Sequence, residues 1–264
     1  MLIRHDDQGV LAIGQPAHAW VCGQLARMWG NARFGAVAPL EEVALGAEQH
    51  DVGMAELDLD PQLDAATGLP RSFLDVALPV HLSLWRGGPP RLASQSRYAA
   101  LLAAMHGRRL YEARNLSALA PEEADQIRDF IADSREFESS MLAALRDDPV
   151  AAPHAAPEIV ARNSQLIWNW DLLSLSLLLG WEPRPLGAVP TADGGEVDVA
   201  LEHVAGDDRS VSLDPWPFSA PVIHLRAEGR RLTENFSSPE ALATGWARAP
   251  WETIEMALVP VPAR

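Results

Sequence analysis

Between Leu166 and Leu179 the chain reads Leu-Ile-Trp-Asn-Trp-Asp-Leu-Leu-Ser-Leu-Ser-Leu-Leu-Leu, a helix-length apolar stretch that carries one acid, Asp171. A helix apolar nearly all round has no face to turn to water, so it belongs at the centre of a fold. A carboxylate placed there costs on the order of several kcal/mol unless it is paired, hydrogen-bonded or bound to metal. Asn169, Ser174 or a neighbouring backbone group would satisfy it locally, and metal or catalytic duty would satisfy it at longer range. The histidines on other apolar segments favour the longer-range reading.

Those segments are punctuated by Pro, Gly and capping residues. Residues 1–14 have the turn chemistry of a hairpin around Asp6-Asp7-Gln8-Gly9. Pro16 opens a helix to about Trp29 that Gly30-Asn31 ends. Pro39 with Glu41 and Glu42 opens a second, which carries Val43 and Ala47 towards His50-Asp51. Residues 55–71 read as a long acidic loop with Asp58, Asp60 and Asp64, of a length that is often functional. Pro79 starts a short helix ending at Gly87-Gly88, and Ser96 caps another that Gly107 closes. Longer helices are expected at 121–146 and at 158–179, the latter stopped by Gly180. After Pro183 short alternating runs dominate: Val197-Asp198-Val199, Val211-Ser212-Leu213, Val222 to Leu225 and Met256 to Val259, with a helix near 238–248. The expected fold is mainly α: a helical bundle over 15–183, with a small β subregion built from 1–14 and 184–264, all in one domain.

Six side chains form the candidate centre. His18 lies in the first turn of its helix beside Ala17, Trp20 and Val21. His50 continues the Val43–Ala47 face, while Asp51 is turned about 100° from it on a regular helix, so both reach one ion only at a helix end or bend. Val52-Gly53 supplies such an end. His81 lies between Val80 and Leu82, and His106 lies just before Gly107, at an expected helix C-terminus. Histidine and aspartate without cysteine suit Fe, Mn, Co, Ni or Zn, as one or two divalent ions. Such a site activates water and clamps the oxygens of a phosphoryl group. Arg108 and Arg109 are candidates to pair with a phosphate, and Asp64 in the acidic loop is a candidate for substrate selection.

The formal charge of -15 argues against nucleic-acid or anionic-membrane partners, and a small-molecule substrate fits better. Cys22 is the only cysteine, so no internal disulfide forms, in keeping with a reducing cytoplasm. The N-terminus lacks a signal-peptide profile, and the longest apolar run is too short to span a membrane.

The order His18, His50-Asp51, His81, His106, Asp171 resembles the HD-domain superfamily of metal-dependent phosphohydrolases. More closely, the chain resembles a bacterial family, domain of unknown function family 3891. Gln15-Pro16-Ala17-His18, His50-Asp51-Val52-Gly53, Asp64-Ala65-Ala66-Thr67-Gly68-Leu69-Pro70, Met105-His106-Gly107, Trp170-Asp171-Leu172-Leu173-Ser174-Leu175 and Leu213-Asp214-Pro215-Trp216-Pro217-Phe218 carry the resemblance. It implies an HD-like helical core with His18, His50, Asp51 and Asp171 as ligands of one ion, and Asp51, His81 and His106 around a second. Asp51, His81 and His106 would then serve the reaction, a hydrolysis of a small phosphoester or nucleotide. A non-catalytic sensor or partner-binding protein and a di-iron redox enzyme are the alternatives. Val52 and Met54 stand where the superfamily pattern has an acidic and an aromatic residue.

Overall fold

A computed structural model describes residues 1–181 and 184–261. A hairpin of β1 (Leu2–Asp6) and β2 (Gly9–Ile13) leads into α1 (Gln15–Met28), α2 (Leu40–Glu48), a 3-10 turn at Val52–Met54 and the short α3 (Ala55–Leu59). A small ribbon, β3 (Leu63–Asp64) and β4 (Leu69–Pro70), precedes four longer helices. These are α4 (Leu78–Ala93), α5 (Arg97–Glu112), α6 (Pro121–Arg146) and α7 (Pro157–Leu179). The remainder is β5 (Leu186–Pro190), β6 (Glu196–Val204), β7 (Asp207–Asp214), β8 (Ile223–Leu232), α8 (Pro239–Arg248) and β9 (Trp251–Pro260).

Seven strands join in one sheet, ordered β1-β2-β8-β9-β7-β6-β5, with β7 and β9 its parallel neighbours. The sheet curls into a half-barrel, and the chain is 51% helix and 22% strand. The fold is therefore mixed α/β, which corrects the expectation of a mainly α bundle with a small β subregion. The apolar runs in the sequence mark only the middles of the strands. In β8, Ile223, Leu225 and Ala227 are buried while His224 and Arg226 face out, and the alternation carries the strand on to Leu232. The same pattern extends β9 from Trp251 to Pro260 around the inward Ile254, Met256 and Leu258. Charged residues on the outer face are as much part of a half-buried strand as the apolar ones.

The helix α7 packs between the other helices and the sheet, against α1, α2 and α5 on one side and β1 and β5 on the other. Its Leu166, Trp170, Leu173 and Leu177 share one core with Leu11 and Ile13 of β2 and with Leu225, Ala227, Ile254 and Met256. Each fully buried Leu or Ile contributes about 1.5–3 kcal/mol, so this shared core ties the helical layer to the sheet. The boundary expected at 183 lies outside the described residues. A second, smaller cluster on the opposite face of β2, with Val10, Ala12, Leu232 and Phe236, is covered by Leu242 of α8. Among the described residues no helix is long and apolar enough to cross a membrane.

Two expected helix ends are not ends. The helix α4 runs through Gly87-Gly88, and through Pro89 and Pro90, to Ala93, and α5 runs through Gly107 to Glu112. These glycines make room rather than stop the helix. A Cβ on Gly107 would lie 2.5 Å from the Trp85 ring, and one on Gly88 would lie 3.2 Å from the backbone nitrogen of Gly53. The expected acidic loop also has structure: α3 and the β3–β4 ribbon occupy most of it. By contrast Gly9, at φ +119, and Gly180, at φ +63, close the first hairpin and α7 as their sequence context demands.

Candidate metal centre

Five of the six side chains converge. His18 projects from the first turn of α1, His106 from the middle of α5 and Asp171 from the middle of α7. The helix α2 ends at Glu48, so His50 and Asp51 leave helical geometry, and Asp51 heads the following 3-10 turn. That exit lets two adjacent side chains face one point. Gly53 holds the turn close: a Cβ there would collide with the Leu84 carbonyl oxygen of α4. His18, His50, Asp51, His106 and Asp171 are all buried, with Asp171 6% exposed.

The His18 Nε2 atom lies 2.9 Å from Asp171 Oδ1 and 3.6 Å from Asp51 Oδ2. The His50 Nε2 atom lies 3.4 Å from Asp171 Oδ1 and 3.5 Å from Asp51 Oδ2. Ligands bound at about 2.1 Å to one ion stand roughly 3.0 Å apart across an octahedral edge and roughly 3.4 Å apart across a tetrahedral one. The four separations fall in or near that range. His106 Nε2 is 3.8 Å from Asp171 Oδ2, the other carboxylate oxygen, and its ring packs 4.6 Å from that of His50. His50, His106 and Asp171 also present three ligand atoms within 4.8 Å of one another.

The electrostatics call for a cation. Two carboxylates and three neutral imidazoles would leave two negative charges in a dry interior, a cost that one divalent ion cancels. His50 Nδ1 faces the Ala47 carbonyl at 2.8 Å, which can only accept, so Nδ1 carries the proton and donates. The Nε2 atom, turned towards two carboxylates, makes no well-formed hydrogen bond in its unprotonated form and reaches Asp171 Oδ1, at 3.4 Å, only when it carries a proton. In the ion-free protein burial depresses the His50 pKa, but the charge of Asp51 and the hydrogen bond and charge of Asp171 outweigh it and raise it to about 9. Burial likewise pushes Asp171 up, and its hydrogen bonds to His18 and His50 overcome this, holding it well below the ordinary carboxylate range. Burial raises Asp51, with His50 and His18 offsetting part of the effect. His106 is driven down to about 3 by burial and by the His50 charge.

His81, the sixth candidate, does not join the cluster. Its Nε2 accepts from the Trp85 indole at 3.3 Å, and its Nδ1 meets the Tyr111 hydroxyl at 2.5 Å. Burial, with help from Arg114, lowers its pKa to about 4, so it is a neutral ring with both nitrogens occupied. Trp85 stands between it and His106. The two arginines also separate. Arg108 is engaged by Glu138 at 2.7 Å and by Glu112 at 2.5 Å. Arg109 bonds Gln165 and stacks 4.3 Å from the centre of the Trp168 ring, which itself packs 5.7 Å from His106. Among the described residues Arg109 has no carboxylate partner. Asp64 is half-buried and closes its own turn, accepting from Ala66 N–H and the Thr67 hydroxyl. Asp58, in the segment expected to be a loop, accepts from the Gln15 N–H and so anchors the start of α1.

Two further residues border the cluster: Trp168, which was not among the candidates, and Ser174, which was expected only as a local partner of the Asp171 carboxylate. Ser174 lies 2.7 Å from His18 Nδ1, and Trp168 forms part of the wall beside His106. Both are one turn of α7 from Asp171, at i+3 and i−3, and that spacing is their signal in the sequence.

No curated protein and no solved structure matches this chain. A family model described as a protein of unknown function (DUF3891) matches residues 1–234, which include every residue of the centre, and the chain belongs to that family.

Proposed function

We propose that this protein is a metal-dependent hydrolase of small phosphoesters, with one divalent transition-metal ion held by His18, His50, Asp51 and Asp171. The carrying observation is the pairing of two buried carboxylates with two imidazole Nε2 atoms at separations of 2.9–3.6 Å. Mn, Fe, Co, Ni and Zn all accept such a set. A second ion, expected between Asp51, His81 and His106, loses support because His81 is committed to Tyr111 and Trp85. The di-iron redox reading weakens with it.

When bound, the ion supplies Lewis acidity, polarising a phosphoryl oxygen and making a water more acidic. The remaining tasks fall to the chain. Arg109, bonded to Gln165 and stacked on Trp168 but without a carboxylate partner among the described residues, brings an unneutralised positive charge to the His106 side of the centre, where it would attract a phosphate. The Nδ1 atom of His106 is buried without a hydrogen-bond partner among the described residues, one more polar atom of the cluster left unsatisfied. Trp85 and Trp168 exclude water beside that ring.

The reaction class is borrowed from the resemblance of His18, His50-Asp51 and Asp171 to the HD-domain superfamily. A panel of phosphomonoesters, phosphodiesters and nucleotides, assayed with added manganese, tests it. Hydrolysis that disappears in Asp51→Ala supports the reading. Metal-loaded protein that is inert across the panel contradicts it and favours a non-catalytic, ligand-sensing role for the same centre.

A further inference from the structure

We propose that Ser174 is a positioning residue that fixes His18 with its proton on Nδ1, so that Nε2 alone is left to bind the ion. This rests on the metal centre proposed above but concerns a residue outside the ligand set.

The assignment follows from counting hydrogen-bond capacity. A serine hydroxyl has one proton to give and two lone pairs to receive. Ser174 Oγ has three buried neighbours: the Asp171 carbonyl oxygen at 3.0 Å, His18 Nδ1 at 2.7 Å and Cys22 Sγ at 3.3 Å. A carbonyl oxygen only accepts, so the Ser174 proton goes to Asp171. With that proton used, His18 donates through Nδ1–H, while the single S–H of Cys22 faces both Ser174 Oγ and, at 3.8 Å, the His18 carbonyl oxygen. All three residues are buried, so no solvent competes for these bonds. Burial also pushes the Cys22 thiol well above its ordinary range, in keeping with a donor that keeps its proton.

The arrangement couples two ligands from different helices. Ser174 bonds the main chain of Asp171 on α7 and the ring of His18 on α1, so the hydroxyl sets the approach of both to the same point. His50 is fixed in the same sense by a main-chain oxygen, that of Ala47. A partner behind a metal-binding histidine fixes its ring orientation and strengthens it as a donor, and losing one weakens metal affinity about 10–100-fold.

Cobalt(II) binding, followed by its visible absorption and by competition with a chelator, tests the proposal on the full chain. Ser174→Ala is expected to weaken cobalt binding by about 10–100-fold, and Ser174→Thr, which restores a hydroxyl, to return it to within about threefold of the parent. Ser174→Ala that remains folded and binds cobalt within about twofold of the parent overturns the proposal. Nitrogen-15 NMR of the unmutated protein supplies a readout that needs no variant to fold. His18 Nδ1 is expected to carry a proton both without metal and with zinc(II) added, and an unprotonated Nδ1 overturns the assignment. If the parent binds neither cobalt nor zinc, the metal reading fails by itself, and the Nδ1 proton still decides the role of Ser174.

Discussion

His50 and His81 sit on apolar segments that read alike in sequence, and their surroundings separate them. Each ring packs against aromatic neighbours, and each has one nitrogen bonded to a neutral oxygen: the Ala47 carbonyl for His50, the Tyr111 hydroxyl for His81. The second nitrogen makes the difference. In His81 it accepts from an indole N–H, which completes a neutral imidazole. In His50 it points at Asp51 and Asp171, both acceptors when ionised, and either a proton on Nε2 or a metal ion between them resolves the contact. A buried histidine is thus a ligand candidate by virtue of what faces its lone pair, not by burial or by an apolar neighbourhood.

Substitutions that act on the carboxylates break this contrast most severely. Asp171→Ala is expected to reduce both metal affinity and phosphoester hydrolysis by more than about a hundredfold, beyond what a partner behind a ligand would cost. Titration calorimetry with manganese and steady-state kinetics measure the two effects, and retention of either would remove Asp171 from the centre.

The pH dependence tests the His50 side. In the ion-free protein His50 is raised from 6.5 to about 9, so the stability it contributes is fully present below 6.5 and is lost as pH rises through about 9. Metal binding must displace that proton, so affinity should fall about tenfold per pH unit below about 9, with metal release in acid. A pH-independent affinity between 6.5 and 8.5 would show that no such proton is displaced.

Arg109→Ala should raise KM for an anionic phosphoester about tenfold, the order expected for a lost charge-assisted contact, with metal content unchanged. Arg108→Ala should lower the melting temperature through loss of the Glu138 and Glu112 bonds while leaving KM within about twofold. Equal KM effects from the two would mean that Arg109 has no special place at the site. The smallest effect belongs to His81→Phe. It should cost about 1–2 kcal/mol in urea unfolding, from the lost Tyr111 and Trp85 bonds, and leave metal content untouched. Loss of the ion in that variant would return His81 to the ligand set.

The convergence of side chains on Asp171 was legible in the sequence because that acid is costly where it stands. A single acid in an all-round apolar helix demands partners, and His18, His50 and Asp51 are the ones that the fold brings to it. Where the sequence misled, glycine was ambiguous. Gly107 reads as a helix stop, yet it is a gap filled by the Trp85 ring, so His106 lies mid-helix rather than at a terminus. The sheet was undersized because its apolar runs cover only the centres of strands that continue through alternating charged residues such as Arg226 and Glu228. The separation of Arg108 from Arg109 depends on Glu138 and on Trp168, tens of residues away, which no local pattern reveals. Asp64, read as a possible substrate contact, serves the turn it begins.

The metal content of protein purified without chelator, set beside that of Asp51→Ala prepared identically, tests the centre most directly. A single-ion site held by two buried carboxylates predicts about one equivalent of a divalent transition metal in the parent and less than about a tenth in the variant. Less than about a tenth in both would contradict it.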